Sequence, residues 1–288
     1  MKDLHTIVCL KVVPKPEEVT IDPVSLTLDR AHARSEINPA DMHALEEALS
    51  LKDRYGGRIS LLAMGPPLFD PYLRVALAMG ADAAYLVSDR VFGGADTLAT
   101  SYTLAEAVRK LGDFDLIICG EESSDGATGQ VPPGVAEWLG VSQVTYASQL
   151  SIITGRWWLR ARRELVGGHE IVSVALPAVV SVKVGVNEPR FIDMERLAWA
   201  RQEPIAVWSA ADLGTDPEMV GIKGSPTVVA GTDESPKRER RRQVLTGTVE
   251  EKARMVAELI LPYLAGGAPS PEPSSRSNGR SIRKDRSS

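Results

Sequence analysis

Two cysteines in 288 residues are too few for a disulfide scaffold. Both of them, Cys9 and Cys119, close apolar strand-like runs. That usage fits a reducing compartment, and the expected location is the cytoplasm. No uninterrupted apolar run is long enough for a membrane span. The opening MKDLHTIVCLKVV has only a short apolar stretch, broken by Lys11 and followed by no small-residue cleavage site. It reads as a first strand rather than a signal peptide. An excess of basic charge is missing too. The formal net charge is -5, which argues against a general nucleic-acid binder.

Several chemical signatures are also absent. No glycine loop ends in Gly-Lys-Ser/Thr, no GxGxxG follows the first strand, and no SGGxDS loop of the ATP-cleaving kind occurs. His43 and His169 lack partners at metal-ligand spacing, so no metal site is expected. No nucleophile–base pair or carboxylate pair demands catalysis by side chains, so no catalytic residue is assigned.

What is present is an ordinary globular composition, 43% apolar and 25% charged. The first half alternates strand and helix. Apolar runs at 5–13, 58–64, 83–89 and 115–120 read as strands. Helical spacing follows each of the first three, as in Met42, Leu45 and Leu49 after Asn38-Pro39, with Asp41 facing the helix dipole in the first turn. Such alternation predicts an α/β fold, a parallel sheet with helices on both faces. Residues 142–185 show alternating patterns broken by Thr-Gly and Gly-Gly, which predict antiparallel hairpins. A helix is expected over 248–264. The Ser-, Pro- and Arg-rich segment 266–288 is expected to be disordered. The domain expectation is therefore an α/β domain at 1–214, a C-terminal arm at 215–265 and a tail.

Ligands of parallel sheets bind beyond the carboxyl ends of the strands. Four segments converge there: Cys9–Lys11, Met64–Pro66, Gly93–Thr100 and Gly120–Gln130. The last reads GEESSDGATGQ. Its hydroxyls (Ser123, Ser124, Thr128), Asp125 and small residues (Gly126, Ala127, Gly129) suit an anion cradle, with Gln130 and Val131 leading into a helix. The same pattern also suits a surface turn with a helix cap. GGADTLATS raises the same pair of readings: Asp96 or Thr97 could cap a helix, or the loop could be a second wall of one site. Asn38 reads first as a helix start, and Met64 as core or pocket wall. KRERRR at 237–242 reads as a solvated basic run.

The ordered set VCLKVVP, INPADMHALEEALSLK, AMGP, LRVALAMGADAAYL, GADTLATS, DLIICG, SDGATGQV, AEWLG, RELVGGHE, LPAVVSV and NEPR, spanning residues 5–214, resembles the β subunit of electron-transfer flavoproteins. The resemblance implies a heterodimer with an FAD-carrying α subunit, its contacts on the edge formed by 142–200 and on the last helix. It implies transfer of electrons from dehydrogenases, such as the acyl-CoA type, to a quinone reductase or another acceptor. It implies an adenine nucleotide held by Cys9, Lys11, Asn38, Met64, Asp96, Thr97, Thr100 and Ser124–Val131 (Ser124, Asp125, Gly126, Ala127, Thr128, Gly129, Gln130, Val131). It also implies recognition of the dehydrogenase around Asn187, Glu188, Pro189, Arg190, Phe191, Ile192, Met194 and Leu197, whose apolar members could form an exposed anchor, core, or a mixture.

Two branches of that family differ in the β-subunit nucleotide, AMP in simple carriers and a second FAD, reduced by NADH, in bifurcating ones. GGADTLATS resembles the FAD branch. Glu121, Glu122 and Pro132-Pro133 depart from it: negative charge near a pyrophosphate is unfavourable unless it points to solvent, and proline has no N–H to donate. FAD is the expectation and AMP the alternative. A stand-alone adenine-nucleotide sensor would explain the 120–131 loop but not the hairpins or the NEPR segment. A nucleotide-cleaving enzyme lacks its motifs.

Overall fold

A computed structural model of the chain describes residues 3–15, 20–21, 28–29, 34–227 and 244–264. The basic run 237–242 and the tail 266–288 lie outside the described residues. The chain divides into two units, within 1–234 and 235–288.

The first unit is built on one nine-stranded sheet. β1 (His5–Leu10) stops at Lys11 rather than running through to 13. The Lys11 N–H leaves the ladder for the Asp41 carboxylate. β2 (Val12–Pro14) then starts a separate ribbon that pairs with β5 (Ser35–Ile37), and β3 (Thr20–Ile21) pairs with β4 (Leu28–Asp29). α1 (Pro39–Tyr55) has proline in its first turn and ends at Gly56. β6 (Arg58–Met64), α2 (Asp70–Met79), β7 (Ala83–Val87), α3 (Thr97–Leu111), β8 (Leu116–Gly120) and α4 (Val131–Leu139) continue the alternation. Then come β9 (Ser142–Ile153), β10 (Trp158–Leu165), β11 (Gly168–Ala175), β12 (Ala178–Val182), α5 (Met194–Ala200), β13 (Ala206–Trp208) and α6 (Ala210–Leu213).

The strand order is β11-β10-β9-β12-β8-β1-β6-β7-β13. From β9 to β13 every neighbour is parallel, whereas β9–β10–β11 form an antiparallel meander. The meander matches the hairpin expectation, but β12 does not stay with it. Its sequence AVVSV is buried throughout. A fully buried apolar strand gains most between two others, and it inserts between β9 and β8, parallel to both.

Alternate residues of the central strands feed two cores. Val8, Leu10, Leu116 and Ile118 pack with α1 and α2 through Leu45, Leu49, Leu73 and Leu77. Ile7, Cys9, Ile117 and Cys119 pack with α3 and α4 through Leu104, Val108 and Val135. This period of two on a sheet covered on both faces is what makes the strands read as continuous apolar runs. Residues 215–227, expected to begin the C-terminal arm, pack on this same unit: Val220 is buried in the second core, and the Asp216 N–H donates to the Tyr102 hydroxyl at 3.1 Å.

The second unit contains α7 (Val249–Leu264). Thr248 and Glu251 close its start reciprocally, each side chain accepting from the other's N–H at 3.3 and 2.8 Å. Among the described residues no helix is long and apolar enough to cross a membrane.

Candidate functional site

The chain moves outward from β1 through β6 to β7, then returns across α3 to place β8 on the other side of β1. The loops leaving β1 and β8 therefore diverge at their carboxyl ends. That divergence is the topological switch point where open α/β sheets form a crevice.

Asp41 sits at the root of the crevice. One carboxylate oxygen accepts the Lys11 N–H at 2.7 Å and the other accepts the Gly120 N–H at 3.1 Å. The carboxylate thus stitches the ends of β1 and β8. A Cβ on residue 120 would lie 2.5 Å from Asp41 Oδ1, so only glycine admits this approach. Burial pushes the Asp41 carboxyl up to about 7, against the lowering effect of the Lys11 and Gly120 N–H groups and the Asn38 side chain. Beside it, Cys9 and Cys119 are both free thiols. A hydrogen bond with Cys9, together with burial, pushes the Cys119 thiol well above the ordinary range.

Asn38 is buried and does not cap α1 with its side chain. Its amide donates to the Glu122 carbonyl at 2.9 Å and accepts the Ser124 N–H at 3.1 Å. It holds the start of the 120–131 loop from behind. The loop then turns tightly: the N–H groups of Gly126 and Ala127 donate to the Ser123 carbonyl, and Ala127 and Gly129 take left-handed φ of 45° and 62°. Lys11 Nζ meets Asp125 at 2.5 Å and Ser123 Oγ at 3.2 Å. Among the described residues no protein acceptor takes the N–H of Thr128, Gly129 or Val131. Together with Lys11 these donors have the chemistry of an anion cradle.

The loop's departures from the expected pattern have a geometric answer. Glu121 turns toward the end of β12, where Oε1 accepts the Val184 N–H at 3.0 Å, and Glu122 is exposed. Neither carboxylate is held over the cradle. Pro132 and Pro133 occupy the first turn of α4, so that turn keeps the Val131 N–H but loses the two that follow.

The two polar loops do come together. Thr97 Oγ1 donates to Gln130 Oε1 at 2.7 Å. Asp96, though, is fully engaged within the protein. Oδ1 accepts the Leu98 and Ala99 N–H groups and caps α3, and Oδ2 accepts the Thr227 N–H and hydroxyl. Burial works to raise its carboxyl, but the Thr227 and α3 donors hold it below the usual range. Thr100 is half-buried in the first turn of α3, and Met64 is half-buried at the end of β6 against the second core.

The segment after β12 is anchored on α1. The Asn187 amide donates to the His43 carbonyl at 3.0 Å and to Glu47 at 3.2 Å. Arg190 reaches both oxygens of Glu46 and also Asp53 at 2.8 Å. The Glu46 carboxylate first, then Asp53, raises the already high affinity of Arg190 for its proton. Glu188 is exposed and Pro189 half-buried. Phe191 is 98% exposed and Met194 71%, with Ile192 at 37%. Leu197 turns inward to the first core. The four apolar residues are therefore a mixture, with a projecting pair at 191 and 194.

Sequence reasoning missed Asp41 as a member of the site. Its spacing from Asn38 was visible, but a first-turn Asp is explained equally well by the helix dipole.

A family profile described as electron transfer flavoprotein domain matches residues 25–213. The chain is 44% identical to the electron transfer flavoprotein subunit beta of Clostridium acetobutylicum over 226 residues, 78% of this chain and 86% of that one. It is 39% identical to the protein FixA of Azotobacter vinelandii, covering 91% and 94% of the two chains. It is 38% identical to the caffeyl-CoA reductase-Etf complex subunit CarD of Acetobacterium woodii, covering 87% and 95%.

Proposed function

This chain belongs to the electron transfer flavoprotein β-subunit family, and we propose that its switch-point crevice holds FAD. In this reading it pairs with an FAD-carrying α subunit in the cytoplasm and passes electrons from a dehydrogenase, of the acyl-CoA type, to a quinone reductase or other acceptor. The observation that carries the nucleotide is the switch point between β1 and β8, where Lys11 reaches Ser123 of the 120–131 loop and the N–H groups of Thr128, Gly129 and Val131 meet no protein acceptor among the described residues. When bound, the flavin supplies the electron chemistry, and the protein positions it. Lys11 would trade Asp125 for a phosphate oxygen, Asn38 and Asp41 would keep the loop in place, and Thr97 with Gln130 would close the wall nearest α3. Phe191 and Met194, on a segment pinned by Arg190, would be the apolar anchor for the dehydrogenase. The relative named for a caffeyl-CoA reductase complex supports an acyl-CoA-linked partner.

AMP is the second reading. The engagement of both Asp96 oxygens with α3 and Thr227 favours it, because that carboxylate is then not open to a flavin. The test is a nucleotide count. The chain is co-expressed with its α subunit, the purified complex is denatured, and released FAD and AMP are quantified. Two flavins per heterodimer are expected. One flavin with one AMP would replace the first reading with the second.

A further inference from the structure

Tyr146 takes a left-handed backbone conformation in the middle of a strand, with φ of 57°. For an aromatic residue with a full Cβ that conformation is strained, and it persists only where neighbours impose it. Here they do. Val144 pairs with Val180 and Ala147 with Val182, so Thr145 and Tyr146 together oppose the single residue Ser181. This is a β-bulge. From one side the Tyr146 N–H donates to Oγ of the buried Ser181 at 3.1 Å. From the other, Arg163 donates to the Thr145 carbonyl at 3.1 Å and to its hydroxyl at 2.9 Å.

The bulge turns Val144 and Ala147 into the core and leaves Tyr146 between them 39% exposed. It re-aims the side chain toward the 120–131 loop. The Tyr146 hydroxyl lies 3.0 Å from the point a Cβ on Gly129 would occupy, and Gly129 is itself left-handed at φ 62°. Tyr146 against Gly129 thus adds to the other contacts that hold the loop, among them Asn38 behind Ser124, Lys11 on Ser123 and Asp125, and Thr97 on Gln130. Gly129 lies between the open N–H groups of Thr128 and Val131.

We propose that Tyr146 is a positioning residue of the nucleotide site, a bulged strand residue that braces Gly129 and so fixes the direction of the phosphate-facing N–H groups. The proposal rests on the adenine-nucleotide reading above. It makes an unusual demand. Removing the side chain relieves backbone strain, which offsets the lost ring burial, while loosening the site, so affinity should fall without a matching fall in stability.

The experiment uses the full-length chain co-purified with its α subunit and stripped of nucleotide, with AMP and FAD as calorimetric probes and thermal melting in parallel. Wild-type protein that binds neither probe would sink the nucleotide reading itself and would say so before any variant is made. Given wild-type binding, Tyr146→Gly is expected to melt no lower than the wild type yet to bind about tenfold more weakly. Tyr146→Phe keeps the ring but removes the hydroxyl, the atom nearest Gly129, and its affinity is expected to lie between those of the wild type and Tyr146→Gly. Unchanged affinity in Tyr146→Gly would overturn the proposal. So would a fall in melting temperature that accompanies the loss of affinity, because Tyr146 would then be supporting the strand and not the loop. A Phe variant as weak as the Gly variant would overturn the packing brace.

Discussion

One helix anchors two surface segments in two different ways. The amino end of α1 holds the 120–131 loop with Asn38 and the buried Asp41, through uncharged donors and a carboxylate pushed toward neutrality. The middle of the same helix holds 187–190 with Glu46, Glu47 and Asp53, through an ion pair and amide hydrogen bonds. The first loop presents polar side chains and N–H groups at the switch point between β1 and β8. The second projects Phe191 and Met194 outward. One helix thus presents a polar site and an apolar one through different side chains, Asn38 and Asp41 for the first and Glu46, Glu47 and Asp53 for the second. The physical consequence is independence: each segment can be damaged without the other.

The largest effect should come from the buried end of α1. Because burial raises the Asp41 carboxyl from 3.8 to about 7, its contribution to stability is fully present below pH 4 and is lost as pH rises toward 7. At roughly 1.4 kcal/mol per unit, that contribution is on the order of 4 kcal/mol. Burial also raises Glu47, which adds in the same direction. Urea unfolding from pH 4 to pH 8 should show the decline, and Asp41→Asn should flatten it. A wild-type profile that stays flat would contradict the burial argument.

Next in size is Arg190→Ala. It leaves the buried Glu46 without its cation and should cost about 2 kcal/mol. If the two segments are independent, nucleotide content should not change. A variant that sheds nucleotide would break the comparison. Lys11→Met removes the cation that reaches the 120–131 loop while leaving its backbone bond to Asp41 in place. Affinity for AMP or FAD should fall about tenfold and lose part of its salt dependence, with little change in unfolding. Phe191→Ala should be the smallest in stability, within about 0.5 kcal/mol of the wild type. Its effect should instead appear as slower reduction by the dehydrogenase partner in stopped-flow measurements, at unchanged nucleotide content.

The sequence carried the parallel sheet because β1, β6, β7 and β8 are apolar on both faces and the helices between them keep helical spacing. It did not carry the destination of β12. AVVSV reads the same whether it closes a hairpin or crosses to the central sheet, and pairing with β8, distant in sequence, decides between them. The site followed the same division. That two polar loops meet was legible from their shared position after strands. That Asp96 spends both oxygens on the protein was not, since its partner Thr227 is 131 residues away. Among 194–197, spacing could not tell the projecting Met194 from the inward Leu197, because burial there depends on which face of α5 meets α2. The left-handed turn at Tyr146 leaves no trace in composition at all.

The central claim is that the crevice between β1 and β8 is the nucleotide site and that the 187–200 segment is a separate surface. Backbone amide exchange on the full complex, stripped of nucleotide and then supplied with saturating FAD or AMP, tests it most directly. Slowed exchange confined to residues 11, 96–100 and 120–131, with 187–200 unchanged, is the predicted result. Protection that leaves 120–131 untouched, or that appears at 187–200 instead, would contradict the account.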